Sequence, residues 1–212
     1  MSGRRADASA GIVVQYDQFD HSLDTAGEQG WLAPATGAAA EQEPLDLIHM
    51  NETSPQEGRP TLFIVCGLPG SGKSTHARQL AASASAVDLS PDEWMMALAI
   101  NLHDEGARAR IERLQWTLAR ELLALGVSVI IEWGTWGRSE RDELREGART
   151  LGAAVELHYL RASLDAMFER LQRGGREDPP LSRDDLARYE ASFQVPDAEE
   201  CELHDRALVI DT

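Results

Sequence analysis

The sequence predicts an α/β fold: a three-layer sandwich around a five-stranded parallel sheet, with a small helical lid. Two observations carry the prediction. From residue 60 onward, short apolar runs alternate with amphipathic or charged helical stretches. Such alternation builds a parallel sheet covered on both faces. In addition, the first apolar run passes directly into a glycine-rich turn, GLPGSGKST at 67–75.

The elements follow in order. TLFIVC at 61–66 is continuously apolar, as expected of a strand buried on both sides. A helix is predicted over 73–83 and a weaker second strand over 86–89. Ser90 is the expected N-cap of the next helix, with Pro91 at its first position and Asp92 and Glu93 in its first turn. A long helix spans 105–125, where Ile111, Leu114, Leu118, Leu122 and Leu125 form one apolar stripe and Gly126 ends it. A β-branched third strand covers 127–131, a charged helix 138–150 and a fourth strand 153–160. Helices at 163–173 and 182–192 flank a Gly/Pro-rich gap, and 207–210 is the fifth strand.

Residues 1–58 differ in kind. They hold ten acids against two arginines, with much Gly, Ala, Ser, Gln and Pro. That composition buries little apolar surface, so a flexible, acidic extension is expected ahead of a domain at 59–212. The stretch 51–60 reads as a linker, and 44–50 is the one piece suited to docking as a short helix. The net charge of -16 argues against nonspecific nucleic-acid binding, which requires Lys and Arg to neutralise phosphates. Cys66 and Cys201 make no disulfide framework, and Cys66 is expected to pack as a small hydrophobe. No apolar run approaches the roughly 20 residues of a membrane span, and Arg4 and Arg5 precede no adequate apolar segment of a signal peptide. A cytoplasmic protein, monomer or dimer, is the expectation.

The chain has 20 Lys and Arg residues, of which only Lys73 is lysine. It lies in Gly67-Leu68-Pro69-Gly70-Ser71-Gly72-Lys73-Ser74, which matches G-x-x-x-x-G-K-[ST] at every fixed position. Glycines let the backbone N–H groups turn inward onto phosphate oxygens, and the following helix N-terminus adds positive charge. Lys73 is expected on the β- and γ-phosphates of ATP and Ser74 on Mg²⁺, with Thr75 closing the first helical turn. A compact ammonium suits that role where a planar guanidinium does not.

Three further motifs point to the second substrate. In LSPDEW at 89–94, Asp92 stands after the second strand, where a carboxylate can orient an acceptor hydroxyl or take its proton. Asp88 is a lesser candidate. In IIEWGTWGR at 130–138, Glu132 ends a buried strand at the position of a metal- or substrate-binding acid. Trp94, Trp133 and Trp136 either stack on the acceptor or cap the core. Arg138 is a candidate substrate contact, whereas Arg141 is expected at the surface beside Glu140, Asp142 and Glu143. In RLQRGGR at 170–176, Arg170, Arg173 and Arg176 precede or follow a Gly-Gly hinge, as in a lid that closes on a triphosphate and excludes water.

With these motifs in order, residues 60–212 resemble the P-loop kinase-like proteins grouped with AAA-family ATPases, a set that includes polynucleotide kinase, zeta-toxin-like kinases and chloramphenicol phosphotransferase. The resemblance implies a P-loop NTPase fold with strand order 2-3-1-4-5. It also implies an acceptor-contacting Asp, here Asp92, and lid arginines, here Arg170, Arg173 or Arg176. Glu132 departs from the more common Asp, and no hexamer-type arginine finger is present. The activity implied is transfer of the γ-phosphoryl group of ATP to a hydroxyl of a small molecule or nucleoside. The alternatives are a nucleotide hydrolase or switch and a non-catalytic ATP-binding module.

Overall fold

A computed structural model describes residues 58–175 and 178–212. The chain divides into two units, Met1–Asn51 and Glu52–Thr212, and the described residues belong to the second. The expectations for residues 1–57, including the short helix at 44–50, lie outside the described residues.

The order is β1 (Thr61–Cys66), α1 (Lys73–Ala84), β2 (Val87–Leu89), α2 (Pro91–Ala97), α3 (Glu105–Ala124), β3 (Val129–Gly134), α4 (Arg138–Thr150), β4 (Ala154–Arg161), α5 (Leu164–Gly174), α6 (Arg183–Ser192), α7 (Ala198–Glu202) and β5 (Arg206–Asp211). All five strands are parallel and lie in the order β2-β3-β1-β4-β5, as expected. Alternation along the strands splits the core between the two faces. Leu62, Ile64, Val129, Ile131, Val155 and Leu157 pack with Trp116, Ala119 and Leu123 of α3 and Leu144 and Ala148 of α4. Phe63, Val65, Ile130 and Leu160 pack on the other side with Ala77 of α1. Cys66 is fully buried in the first of these clusters, as a small hydrophobe.

Three expectations need correction. The stripe on α3 is shifted from the one read from its leucines: Ile111 is buried and Leu118 and Leu122 pack partly on the core, but Leu114 is 62% exposed and Leu125 79%, while Ala107, Gln115, Trp116, Ala119 and Leu123 are buried. Close approach selected this face. A Cβ on Gly147 of α4 would lie 2.5 Å from the Trp116 ring, so small residues let the two helices meet where large ones would not. The linker, next, ends before residue 59. The Arg59 guanidinium donates to the Ala153 carbonyl at 2.7 Å, and the Pro60 carbonyl accepts from Ala154 at 2.9 Å. Finally, α7 was not foreseen; Asp197 caps it, its carboxylate accepting from the Glu200 amide at 2.7 Å.

Candidate active site

β1 delivers the chain to the carboxyl end of the sheet, where 67–72 fold back before α1. The Ser71 amide donates to the Leu68 carbonyl at 3.1 Å, and the Thr75 amide to the Gly72 carbonyl at 3.1 Å. Among the described residues, no carbonyl accepts from the amides of Gly70, Gly72, Lys73 or Ser74. Unpaired amides at a helix start are what an anion needs. Two glycines are obligatory here. A Cβ on Gly67 would lie 2.5 Å from the Leu160 carbonyl oxygen, and one on Gly70 would lie 2.6 Å from that of Met167. Both also adopt positive φ, 143° and 78°.

Lys73 donates to the Leu68 carbonyl at 3.1 Å across the loop. Burial pulls its ammonium below the ordinary lysine range, against the opposing pull of Glu132 and Asp92. Glu132 is 6% exposed. Burial pushes its carboxyl up, while the Ser90 hydroxyl, Lys73 and the Ser74 hydroxyl pull it back. The Ser90 side chain does not cap α2, although Ser90 occupies the N-cap position. Two residues behind it, Asp88 pairs in register with Ile130, which puts it on the same sheet face as Glu132. Its carboxyl is pushed up to about 7 by burial and by Glu132 and Glu93, against Arg78. Ser71 Oγ, Asp88 Oδ1 and Glu132 Oε2 are buried without a partner.

Asp92 is held by a residue that the sequence reading missed. Arg108 Nη2 donates to its Oδ1 at 2.6 Å and to the Leu102 carbonyl at 3.3 Å. The pair joins α2 to α3 and keeps the Asp92 carboxylate within Coulombic reach of Lys73. Nothing in the local sequence signals Arg108, because the two helices must first fold against each other.

α5 reaches the cradle through Arg170. Its Nη1 donates to the Gly70 carbonyl at 3.3 Å and to Thr212 Oγ1 at 2.9 Å, and the Thr212 hydroxyl donates to the Ser71 carbonyl at 3.0 Å. Arg173 is exposed and donates to the Glu169 carbonyl of its own helix, so the structure does not bring it to the cradle. Arg176 lies outside the described residues. Beside the cradle is a cavity of about 370 Å³ lined by Gly72, Thr75, His76, Gln79, Arg170 and Thr212 among others. His76 Nε2 meets the buried His158 Nδ1 at 2.7 Å, and His158 Nε2 meets Glu156 at 3.2 Å.

Of the two readings of the tryptophans, the structure shows core packing, and the arginines of α4 are engaged within the chain. Trp133 turns its ring N–H into the core, donating to Gln115 Oε1 at 2.8 Å. Trp136 packs on Tyr189 with ring centroids 4.8 Å apart, and Trp94 packs on the core. All three are partly buried against the core. Arg138 is drawn away by Asp142, Asp197 and Glu199, at 3.7, 3.4 and 3.3 Å, because α7 brings its acids alongside. Arg141 is not at the surface: it is fully buried, with Nε and Nη2 on Glu200 at 2.6 and 2.9 Å and further bonds to the carbonyls of Thr135, Trp136 and Gln194.

Among the described residues, no three His, Cys, Asp or Glu side chains are grouped to hold a metal by themselves. The donors beside the cradle are oxygens: the Ser74 hydroxyl, the orphan Glu132 Oε2 and the orphan Asp88 Oδ1. That set fits Mg²⁺, which takes one or two protein oxygens and completes its shell from phosphates and water. No described helix is long and apolar enough to cross a membrane.

Fold and cradle together define a P-loop nucleotide-binding protein of the kinase-like topology. The profile of a family described as an AAA domain matches residues 62–196, and the chain belongs to that family. Solved structures with this fold include a candidate kinase from Chloroflexus aurantiacus, 24% identical, with TM-score 0.56, over 72% of this chain and 88% of that one. A gluconokinase from Sinorhizobium meliloti 1021 is 24% identical with TM-score 0.50, over 72% of this chain and 82% of that one. Kti12 from Chaetomium thermophilum, solved with ADP-AlF3, is 18% identical with TM-score 0.54, over 71% of this chain and 88% of that one. No curated protein matches.

Proposed function

We propose that the protein transfers the γ-phosphoryl group of ATP to a hydroxyl of a small molecule. The observation that carries the reading is the Asp92–Arg108 pair at 2.6 Å, fixed beside Lys73 at the carboxyl end of the sheet. A nucleotide cradle needs no such carboxylate to bind phosphate; a transferase needs one for the acceptor. Kinases acting on hydroxyls also occur among proteins of this fold, the gluconokinase included.

In this reading the free amides of Gly70, Gly72, Lys73 and Ser74 bind the phosphates, and Lys73 leaves the Leu68 carbonyl to bridge the β- and γ-phosphates. The 370 Å³ cavity takes the nucleoside end, with Arg170 at its rim. Ser74 and Glu132 would hold Mg²⁺, which neutralises charge on the transferring group. Asp92, oriented by Arg108, accepts the acceptor's hydroxyl proton as that oxygen attacks in line. Arg170 draws the lid onto the cradle and limits water, the competing acceptor. Residues 59–212 carry the chemistry and 1–58 are dispensable for it. The net charge of -16 favours a small acceptor over a polynucleotide.

The test is γ-labelled ATP with Mg²⁺ and pooled hydroxyl compounds. Label on one compound is the expected result. Phosphate release unchanged by every pool would replace the transferase with a hydrolase or switch, and ATP binding without turnover would leave a binding module.

A further inference from the structure

The acceptor side of the cleft has a polar wall. Arg108, Glu112 and Gln115 follow one another along α3 at steps of four and three residues, which sets them on one helix face. Towards the core such a face is normally apolar. Asp92 meets this face through Arg108, and Glu140 of α4 and Asp92 both act on Glu112 through space. Glu112 therefore feels two other carboxylates and one guanidinium, and that guanidinium is already committed to Asp92.

Two members of the wall are incomplete. Glu112 is half-buried, and no described group donates a hydrogen bond to it. Burial pushes its carboxyl up to about 7, with Glu140 and Asp92 pushing the same way against Arg108. Gln115 is the second. It is fully buried, its Oε1 is taken by the Trp133 ring, and its Nε2 has no partner. A buried amide donor without an acceptor is costly to leave unmade. Three residues along from Glu112 on one face, it points to a ligand oxygen that completes it.

We propose that this face of α3 binds the phosphoryl acceptor, and that the acceptor carries a positively charged amine beside its hydroxyls. The inference rests on the transferase reading above. The amine is placed among Glu112, Glu140 and Asp92, and an acceptor oxygen takes the free N–H of Gln115. A carboxylate- or phosphate-bearing acceptor would add to negative charge that Arg108 does not balance. A neutral one would leave Glu112 without a partner.

The experiment uses the full chain, matched acceptors and two readouts. The acceptors are amino alcohols and amino sugars (ethanolamine, serinol, glucosamine), their N-acetyl counterparts, and gluconate as an anionic control. Label transfer from γ-labelled ATP is measured alongside calorimetric binding with Mg²⁺ and a non-hydrolysable ATP analogue. The free amines are expected to exceed their N-acetyl partners by at least about tenfold in either readout, as a charge-assisted hydrogen bond supplies. In Glu112→Gln that ratio should fall towards one, and Gln115→Leu should weaken amine and N-acetyl compounds together. Circular dichroism confirms that each variant is folded. Label on no compound, with amine-selective binding that Glu112→Gln abolishes, would sink the transferase reading and leave an amine-binding face that is not an acceptor site. Preference for gluconate or the N-acetyl series, a ratio that Glu112→Gln leaves intact, or no binding by any amine would overturn it.

Discussion

Two buried polar regions of this protein look alike by composition and behave as opposites. On the α4–α7 flank, Arg141 and Glu200 are both nearly inaccessible, yet their charged groups are bonded to each other, and Arg141 also bonds three backbone carbonyls. At the cradle, Glu132 is buried and Lys73 and Asp88 partly so, but Glu132 Oε2 and Asp88 Oδ1 have no partner and four amides donate to no described carbonyl. The first region spends its hydrogen bonds within the chain and holds the Trp136 loop to α7. The second leaves them open, as the proposed phosphate and metal binding requires. Satisfaction, rather than burial or charge, separates structure from site.

Exchanging the two roles by mutation should give opposite readouts. Lys73→Ala should lower phosphoryl transfer by about 100–1,000-fold or more, with a melting temperature unchanged within a few degrees. A large loss of stability would mean that the cradle lysine is structural. Asp92→Asn should cost about 100-fold or more in transfer, the scale of a lost general base, with ATP binding kept; equal ATP turnover would move the weight to the hydrolase reading. Arg141→Ala should behave in reverse. Removing one partner strands the Glu200 charge and costs roughly 3–5 kcal/mol by denaturant titration, with nucleotide affinity per folded molecule retained.

The smaller effects sharpen the contrast. Asp88 ordinarily titrates near 3.8 and is held up to about 7 in the fold. Between those values the folded chain keeps a proton that the unfolded chain has released. Stability from this group therefore falls as pH rises through that window. Asp88→Asn should raise the melting temperature at pH 8 and leave it nearly unchanged at pH 4; a gain at pH 4 alone would contradict the assignment. Cys66 is pushed up to about 12 by burial. Native protein should resist thiol titration at Cys66 at pH 8 and expose both cysteines after unfolding.

Much of this was legible in the chain. The five strands were found within a few residues, because a strand buried on both faces must be continuously apolar and Thr61–Cys66 and Val129–Ile131 are. The cradle was legible because its chemistry is local: amides, glycines and a lysine within a single turn. The long-range partners were not. Arg108 reaches Asp92 only after α2 and α3 close. Arg141 lies among charged residues of a helix whose pattern reads as solvated, and only the unforeseen α7 supplies Glu200. The tryptophans read equally as a substrate wall or a cap on the core, and only the fold brings Gln115 to the ring N–H of Trp133.

By itself the sequence determined the sheet, its parallel sense and the phosphate cradle. Those follow from period, apolar runs and backbone conformations that neighbouring residues impose on one another. The tertiary structure decided which charges are spent and which are left open. A side chain's partner is set by what distant segments bring within about 3 Å, and no local pattern encodes that distance. Arg138 and Arg141, three residues apart on one helix, therefore end in an exposed ion network and a sealed core.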